Sequence, residues 1–111
     1  MKLFFRIIFK IFLILTILIG CETTEEINET DSDALLNQGI AFGKEGQYDR
    51  AIAYFNKALN INPRSAEAYN NRGIAYDYKG QYDKAITDYS QAIEINPWYS
   101  GAYNNRGFAF F

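Results

Sequence analysis

Histidine does not occur among the 111 residues, and cysteine, methionine and tryptophan occur once each. Without an imidazole the chain lacks the commonest general base and the commonest nitrogen ligand for metals. The single thiol, Cys21, has no disulfide partner within the chain and no positioned base to make it a nucleophile. No GxGxxG, GxxxxGK or HExxH string is present, so nothing indicates a phosphate cradle or a zinc-binding helix. Acidic pairs such as Asp83 and Asp88 fall within one helical stretch at positions of exposed type, which does not make a catalytic dyad. The residues assign no catalytic group, no metal site and no cofactor, and an enzyme is not expected. A basic stripe is lacking too. From Ala34 onward eight Lys or Arg and seven Asp or Glu are scattered along the chain, so nucleic acid has no electrostatic footprint.

Proline is scarce, and the interval between the two that occur, Pro63 and Pro97, also relates whole stretches of the chain. Ile40 to Pro63 returns as Ile74 to Pro97, and AYNNRG recurs at Ala68 and at Ala102. Taking Ser32, Ala66 and Ser100 as starts, glycine falls at one place in each copy (Gly39, Gly73, Gly107), with an aromatic three later (Phe42, Tyr76, Phe110). Ala51 and Ala85 each precede an aromatic by four (Phe55, Tyr89), and Ala58 and Ala92 follow. Apolar residues at Leu35, Phe42, Tyr48, Ile52, Phe55 and Leu59 recur three, four or seven apart, the spacing of amphipathic helices, interrupted near Gly46. Two helices fit each copy. Gly39, Ala51 and Ala58 let them approach closely, and the aromatics fill the remaining space. Gly46 and Gly80 suit a left-handed turn after the first helix, and Asp49 and Asp83 suit the positive start of the second. Pro63 and Pro97 stop the second helix, and Ser65 and Ser100 are placed to cap the next first helix.

This order of residues closely resembles the tetratricopeptide repeat, whose pattern, with a period of about 34 residues, runs W-x2-L-G-x2-Y, then A-x3-F, then P. The Trp place holds Leu35, Tyr69 and Tyr103, and the Leu before Gly holds Gln38, Arg72 and Arg106. The resemblance covers about Ser32 to Phe111 and implies an all-α solenoid of tandem helix-turn-helix units. It has two full repeats, at about 32–65 and 66–99, and the first helix of a third at 100–111.

The chain opens with Lys2, Arg6 and Lys10 among apolar residues, then runs almost continuously apolar from Ile11 to Ile19. That is the charged-then-apolar order of an export signal over residues 1–20, and the run is short of the roughly 20 residues a membrane span requires. Leu18-Ile19-Gly20-Cys21 resembles the lipobox of bacterial lipoproteins, which implies lipidation of Cys21 as the mature N-terminus. An ordinary signal peptide, or an uncleaved anchor with Cys21 incidental, is the alternative. Attached acyl chains would hold the protein to a membrane at about 0.8 kcal/mol per buried methylene. Glu22 rather than Asp follows the cysteine, so the usual inner-membrane retention signal is not plain. The expected location is a lipid-anchored place on a membrane of the bacterial cell envelope, with the outer membrane or cell surface open as well as the inner membrane. Glu22 to Asp33 carries six acids, no base and one apolar side chain. With too little apolar surface to offset its ordering entropy, it reads as an extended tether before a repeat domain at 34–111. The overall charge of −2 hides this division between a basic signal and an acidic tether.

The resemblance implies a concave groove along the first helices, holding an extended peptide or a partner helix. Its places fall on Leu36, Ile40 and Lys44 in copy one, on Asn70, Ile74, Asp77 and Tyr78 in copy two, and on Asn104 and Phe108 in copy three. Asn70 and Asn104 are expected side by side, either hydrogen-bonding a ligand backbone or stabilising neighbouring helices. For Arg72 and Arg106 the structural role is the expectation. Repeat domains of this family that clamp a chaperone's carboxylate tail carry Lys and Asn, then Lys and Arg, where this chain has Leu36, Ile40, Gly101 and Asn105. Only Asn71 matches, so such a ligand is not supported. Trp98 and Tyr99 are read as packing over the seam between copies two and three, with an interface role as the alternative. Gly107-Phe108-Ala109-Phe110-Phe111 ends apolar. That fits a piece of a longer array, or a cap that hides its phenylalanines by self-association or against a partner. Either way, fewer than three whole repeats imply marginal stability.

Overall fold

A computed structural model describes residues 31–109. Within them the chain is helical: α1 over 31–44, α2 at Tyr48–Ile61, α3 at Ala66–Tyr78, α4 at Tyr82–Ile95 and α5 at Ser100–Ala109. α3 packs on α2 and α4, and α5 packs on α4 and α3. This is the all-α series of helix-turn-helix units that the repeat period predicts.

The turns repeat as faithfully as the helices. Gly46 and Gly80 have φ of 77° and 75°, a region open to glycine at little steric cost. The next amide, of Gln47 or Gln81, reaches back to the carbonyl of Phe42 or Tyr76 at 2.9 Å in both cases. That six-to-one bond ends the first helix of each pair and turns the chain back. At the end of α2 and α4, the Asn62 and Asn96 amides bond to Ala58 and Ala92, and the prolines that follow have no amide to continue the ladder. The Asn62 and Asn96 carboxamides then accept from the amides of Arg64 and Trp98. Ser65 caps α3, its Oγ accepting from the Ala68 amide at 3.2 Å. Ser100 does not cap α5, contrary to expectation. It is the first helical residue, and the Tyr99 carbonyl accepts from Ala102 and Tyr103 instead, because Tyr99, not Ser100, is the counterpart of Ser65 one period on.

The core is made where small residues face large ones. Ala51, Ala58, Ala68, Ala85, Ala92 and Ala102 are fully buried, and Phe55 and Tyr89 are the largest fully buried side chains. A Cβ built on Gly39 would lie 2.5 Å from the Phe55 ring, and one on Gly73 2.6 Å from the Tyr89 ring. These glycines are therefore seats for the aromatic of the paired helix, as the A-x3-F spacing anticipates.

Two expectations about the edges are corrected. Asp31, Ser32 and Asp33, assigned to the tether, belong to α1, and Ser32 is buried with its Oγ donating to the Ala58 carbonyl at 3.1 Å. Asp88 is not at an exposed position. It is 4% exposed, and both of its oxygens accept from Arg72, from Nε at 2.8 Å and from Nη2 at 2.7 Å. Arg72 also donates Nη1 to Asn56 on α2 at 2.8 Å and lies over the rings of Tyr69 and Tyr76. Its structural role is as expected. The bond to Asp88, more than any other cause, holds the Arg72 guanidinium above its ordinary pKa. The signal stretch, Cys21 and the remainder of the tether lie outside the described residues.

Candidate functional site

The face formed by α1, α3 and α5 carries two clefts on either side of α3. The first, of about 340 Å³, is lined by Ile40, Gly43, Lys44, Phe55, Asn71 and other residues of α2 and α3. The second, of about 420 Å³, is lined by Ile74, Asp77, Tyr78, Tyr89 and Asn105. Each residue of the second stands one period after one of the first. Ile74 and Tyr78 line both clefts, so the two adjoin along one groove. Tyr48, which also lines the first cleft, stacks on Tyr78 with ring centroids 5.0 Å apart.

The clefts share walls and differ in floor. In the first, the floor is Gly43 and the Phe55 ring. In the second, the same places hold Asp77 and Tyr89, and the Tyr89 hydroxyl donates to Asp77 Oδ2 at 2.7 Å. Burial first, then this bond and the Asp77 charge, push the Tyr89 phenol well above its ordinary pKa. Asp77 Oδ1 is buried and has no hydrogen-bond partner, an unusual condition for a carboxylate oxygen.

Of the residues assigned to the groove from sequence, Ile40, Ile74 and Tyr78 line these clefts, as do Lys44 and Asp77. Leu36 does not: it is 5% exposed and belongs to the core with Ile52, Phe55 and Leu59. Nor does Asn70 present its amide to a ligand. It is 6% exposed, its Nδ2 donates to the Tyr99 hydroxyl, and its Oδ1 accepts from Asn105 Nδ2 at 3.1 Å. Asn104, expected beside it, is exposed; Asn105 is the neighbour Asn70 meets. Phe108 is 77% exposed and lines neither cleft. The seam expected under Trp98 and Tyr99 is made by Tyr99 alone. Trp98 is 90% exposed, whereas Tyr99 is half-buried against Asn70, and burial ahead of the nearby Glu67 charge raises its phenol pKa.

The asparagines that do line the clefts, Asn71 and Asn105, follow the expected pair by one residue. Asn71 donates Nδ2 to the Glu67 carbonyl at 3.0 Å, and Asn105 donates to Asn70. Each bond leaves an amide oxygen to accept from a ligand. Their recurrence at the repeat interval was as visible as that of Asn70 and Asn104. Among the described residues no group of three or more His, Cys, Asp or Glu is placed to hold a metal, and no helix is long and apolar enough to cross a membrane.

Comparison with known proteins agrees with this architecture. Residues 66–99 match the tetratricopeptide repeat and residues 39–77 match the TPR repeat. The chain is similar to the second TPR of Spaghetti (RPAP3) bound to the HSP90 peptide SRMEEVD. The two are 31% identical with a TM-score of 0.74, over 78% of this chain and 81% of that one. It is similar to the Sgt2 TPR domain from Aspergillus fumigatus, at 35% identity and TM-score 0.69, covering 71% of this chain and 52% of that one. It is also similar to MamA protein, at 33% identity and TM-score 0.70, over 74% and 45% of the two chains. It thus spans about half the length of the last two. Nothing matches it among curated proteins. The chain belongs to the tetratricopeptide repeat family.

Proposed function

We propose that the protein is a lipid-anchored interaction scaffold of the bacterial cell envelope, tethered through Cys21, whose groove across α1, α3 and α5 takes an extended segment of a partner protein. The observation that carries the binding role is the pair of adjoining clefts, built from matched places one period apart, each offering an aliphatic wall and an asparagine oxygen. Such a lattice suits a ligand backbone that passes both clefts, with its side chains entering them in turn. The RPAP3 domain with its HSP90 peptide supports the mode of binding. The ligand is of another kind, because Leu36 is in the core, Gly101 has no side chain and Asp77 sits in the second cleft.

The anchor rests on Lys2, Arg6 and Lys10, the apolar run to Ile19, and the Leu-Ile-Gly-Cys21 stretch. Intact mass of the membrane-extracted protein tests it. A mass of residues 21–111 plus acyl chains, lost in Cys21→Ser, is expected, and an unmodified mass would overturn it. Binding is tested by selecting displayed random peptides on the full chain in detergent, with Ile74→Lys as the counter-screen. Peptides that bind the two proteins equally would overturn the groove.

A second reading, association of copies through α5, is favoured by the exposure of Phe108. Sedimentation that depends on concentration, and loses that dependence in Phe108→Ser, would support it over binding of a foreign segment.

A further inference from the structure

The two clefts are copies of one site with two differences in charge, one on the floor and one on the rim. Where the first has Gly43 beneath Phe55, the second has Asp77 held by the Tyr89 hydroxyl, with the other carboxylate oxygen buried and unpartnered. The Asp77 carboxylate places a negative charge on the lining of the second cleft, and a charged donor is the partner that suits it best. On the rim the order is reversed: the first cleft has Lys44 where the second has the Tyr78 ring. A cationic side chain is therefore repelled at the first cleft and drawn to the second.

Resting on the groove reading above, we infer that the ligand is an extended peptide with an apolar side chain for the first cleft and a lysine or arginine for the second. The basic group is held at the cleft by the charge of the Asp77 carboxylate while its stem lies along Ile74 and Tyr78. The apolar group lies on Ile40 and Phe55. Packed helices stand roughly 8–10 Å apart, which a chain extended in the polyproline II conformation covers in one turn of about three residues, bringing the third side chain on back to the same face. The ligand therefore carries its apolar and basic residues three positions apart. The acidic peptide of the RPAP3 complex is the opposite case, and an acid placed in the second cleft meets Asp77.

The test is fluorescence anisotropy of labelled hexapeptides on the full chain in detergent. Each peptide carries Leu and, three residues away in either order, Lys, Arg, Gln or Glu. The Lys and Arg peptides are expected to bind at least about tenfold more tightly than the Gln and Glu peptides, the usual effect of one charge-assisted bond. Asp77→Asn preserves the shape and should abolish the preference while leaving weak binding. Gly43→Asp moves the acid into the first cleft, where a Cβ has room, its nearest neighbour being Ala51 Cβ at 3.9 Å. That variant should newly bind peptides with two basic residues at this spacing. Equal binding of Lys and Glu peptides, or a preference that survives Asp77→Asn, would overturn the inference and leave the groove standing. Binding that is indifferent to Ile74→Lys would overturn the groove itself.

Discussion

Alanine in place of glycine should have opposite effects at two equivalent positions of this chain. At Gly73 the new Cβ would sit 2.6 Å and 2.8 Å from two carbons of the Tyr89 ring, where carbon atoms prefer about 3.5–4.0 Å. The ring has nowhere to go. Tyr89 is 1% exposed, and its hydroxyl is tied to Asp77, so the strain must either part α3 from α4 or break that bond. Overpacking of this kind costs about 1–3 kcal/mol, and loss of the bond about 1 kcal/mol more. The better helix propensity of alanine returns about 1 kcal/mol. Gly73→Ala should therefore destabilise by about 1–3 kcal/mol. At Gly107 the same Cβ meets nothing within 4 Å, so only the propensity gain remains, up to about 1 kcal/mol. In a domain of this size each kcal/mol moves Tm by about 4–8 °C. Thermal melting of the full chain in detergent, followed by far-ultraviolet circular dichroism, should show Gly73→Ala melting lower and Gly107→Ala slightly higher. In a Tyr89→Ala background, Gly73→Ala should lose its cost, since the ring it strikes is gone. Equal stabilisation by both alanines in the parent chain would refute the seat that Gly73 provides for Tyr89.

Asp88→Asn should cost about 2–3 kcal/mol in a urea titration, because it leaves the half-buried Arg72 guanidinium facing a neutral amide. A loss under about 0.5 kcal/mol would be that of a surface pair. Alkaline stability should depend on Tyr89. Its folded phenol holds the proton beyond the ordinary pKa of 10.0, so this contribution is whole below pH 10 and is lost as pH rises above it. Chemical denaturation at a series of pH values should show stability falling above pH 10, and Tyr89→Phe should flatten the fall. An unchanged pH profile in that variant would refute the role.

Most of the fold was legible because one interval carries it. Gly39 under Phe55 and Gly73 under Tyr89 are the visible spacing of a small residue and an aromatic, turned into a contact. Gly46 and Gly80 were legible for the same reason, since only the turn conformation accounts for glycine there. What escaped depends on rotation and on partners distant in sequence. Asn70 and Asn71 are neighbours on α3, and a step of about 100° around the helix separates a buried strut from a groove residue. Their order in the chain does not tell them apart. Asp88 resembles any acid on a helix until Arg72, 16 residues earlier, is brought against it. Ser32 was counted with an acidic tether because its partner, the Ala58 carbonyl, is 26 residues away. The floor of the second cleft was within reach, since aligning the copies sets Asp77 against Gly43. Its meaning required the Tyr89 bond and the cleft that the carboxylate lines.

Arg72 touches three helices at once: Asn56 on α2, Tyr69 and Tyr76 on its own α3, and Asp88 on α4. The corresponding residue of copy one is Gln38, which has neither the charge nor the fork to do the same. Melting of the first hairpin therefore strips a partner from the guanidinium that braces the second, and loosening of α4 does the reverse. The free energy of one repeat is written partly into its neighbour, so the pair should unfold in one cooperative transition rather than fray from an end.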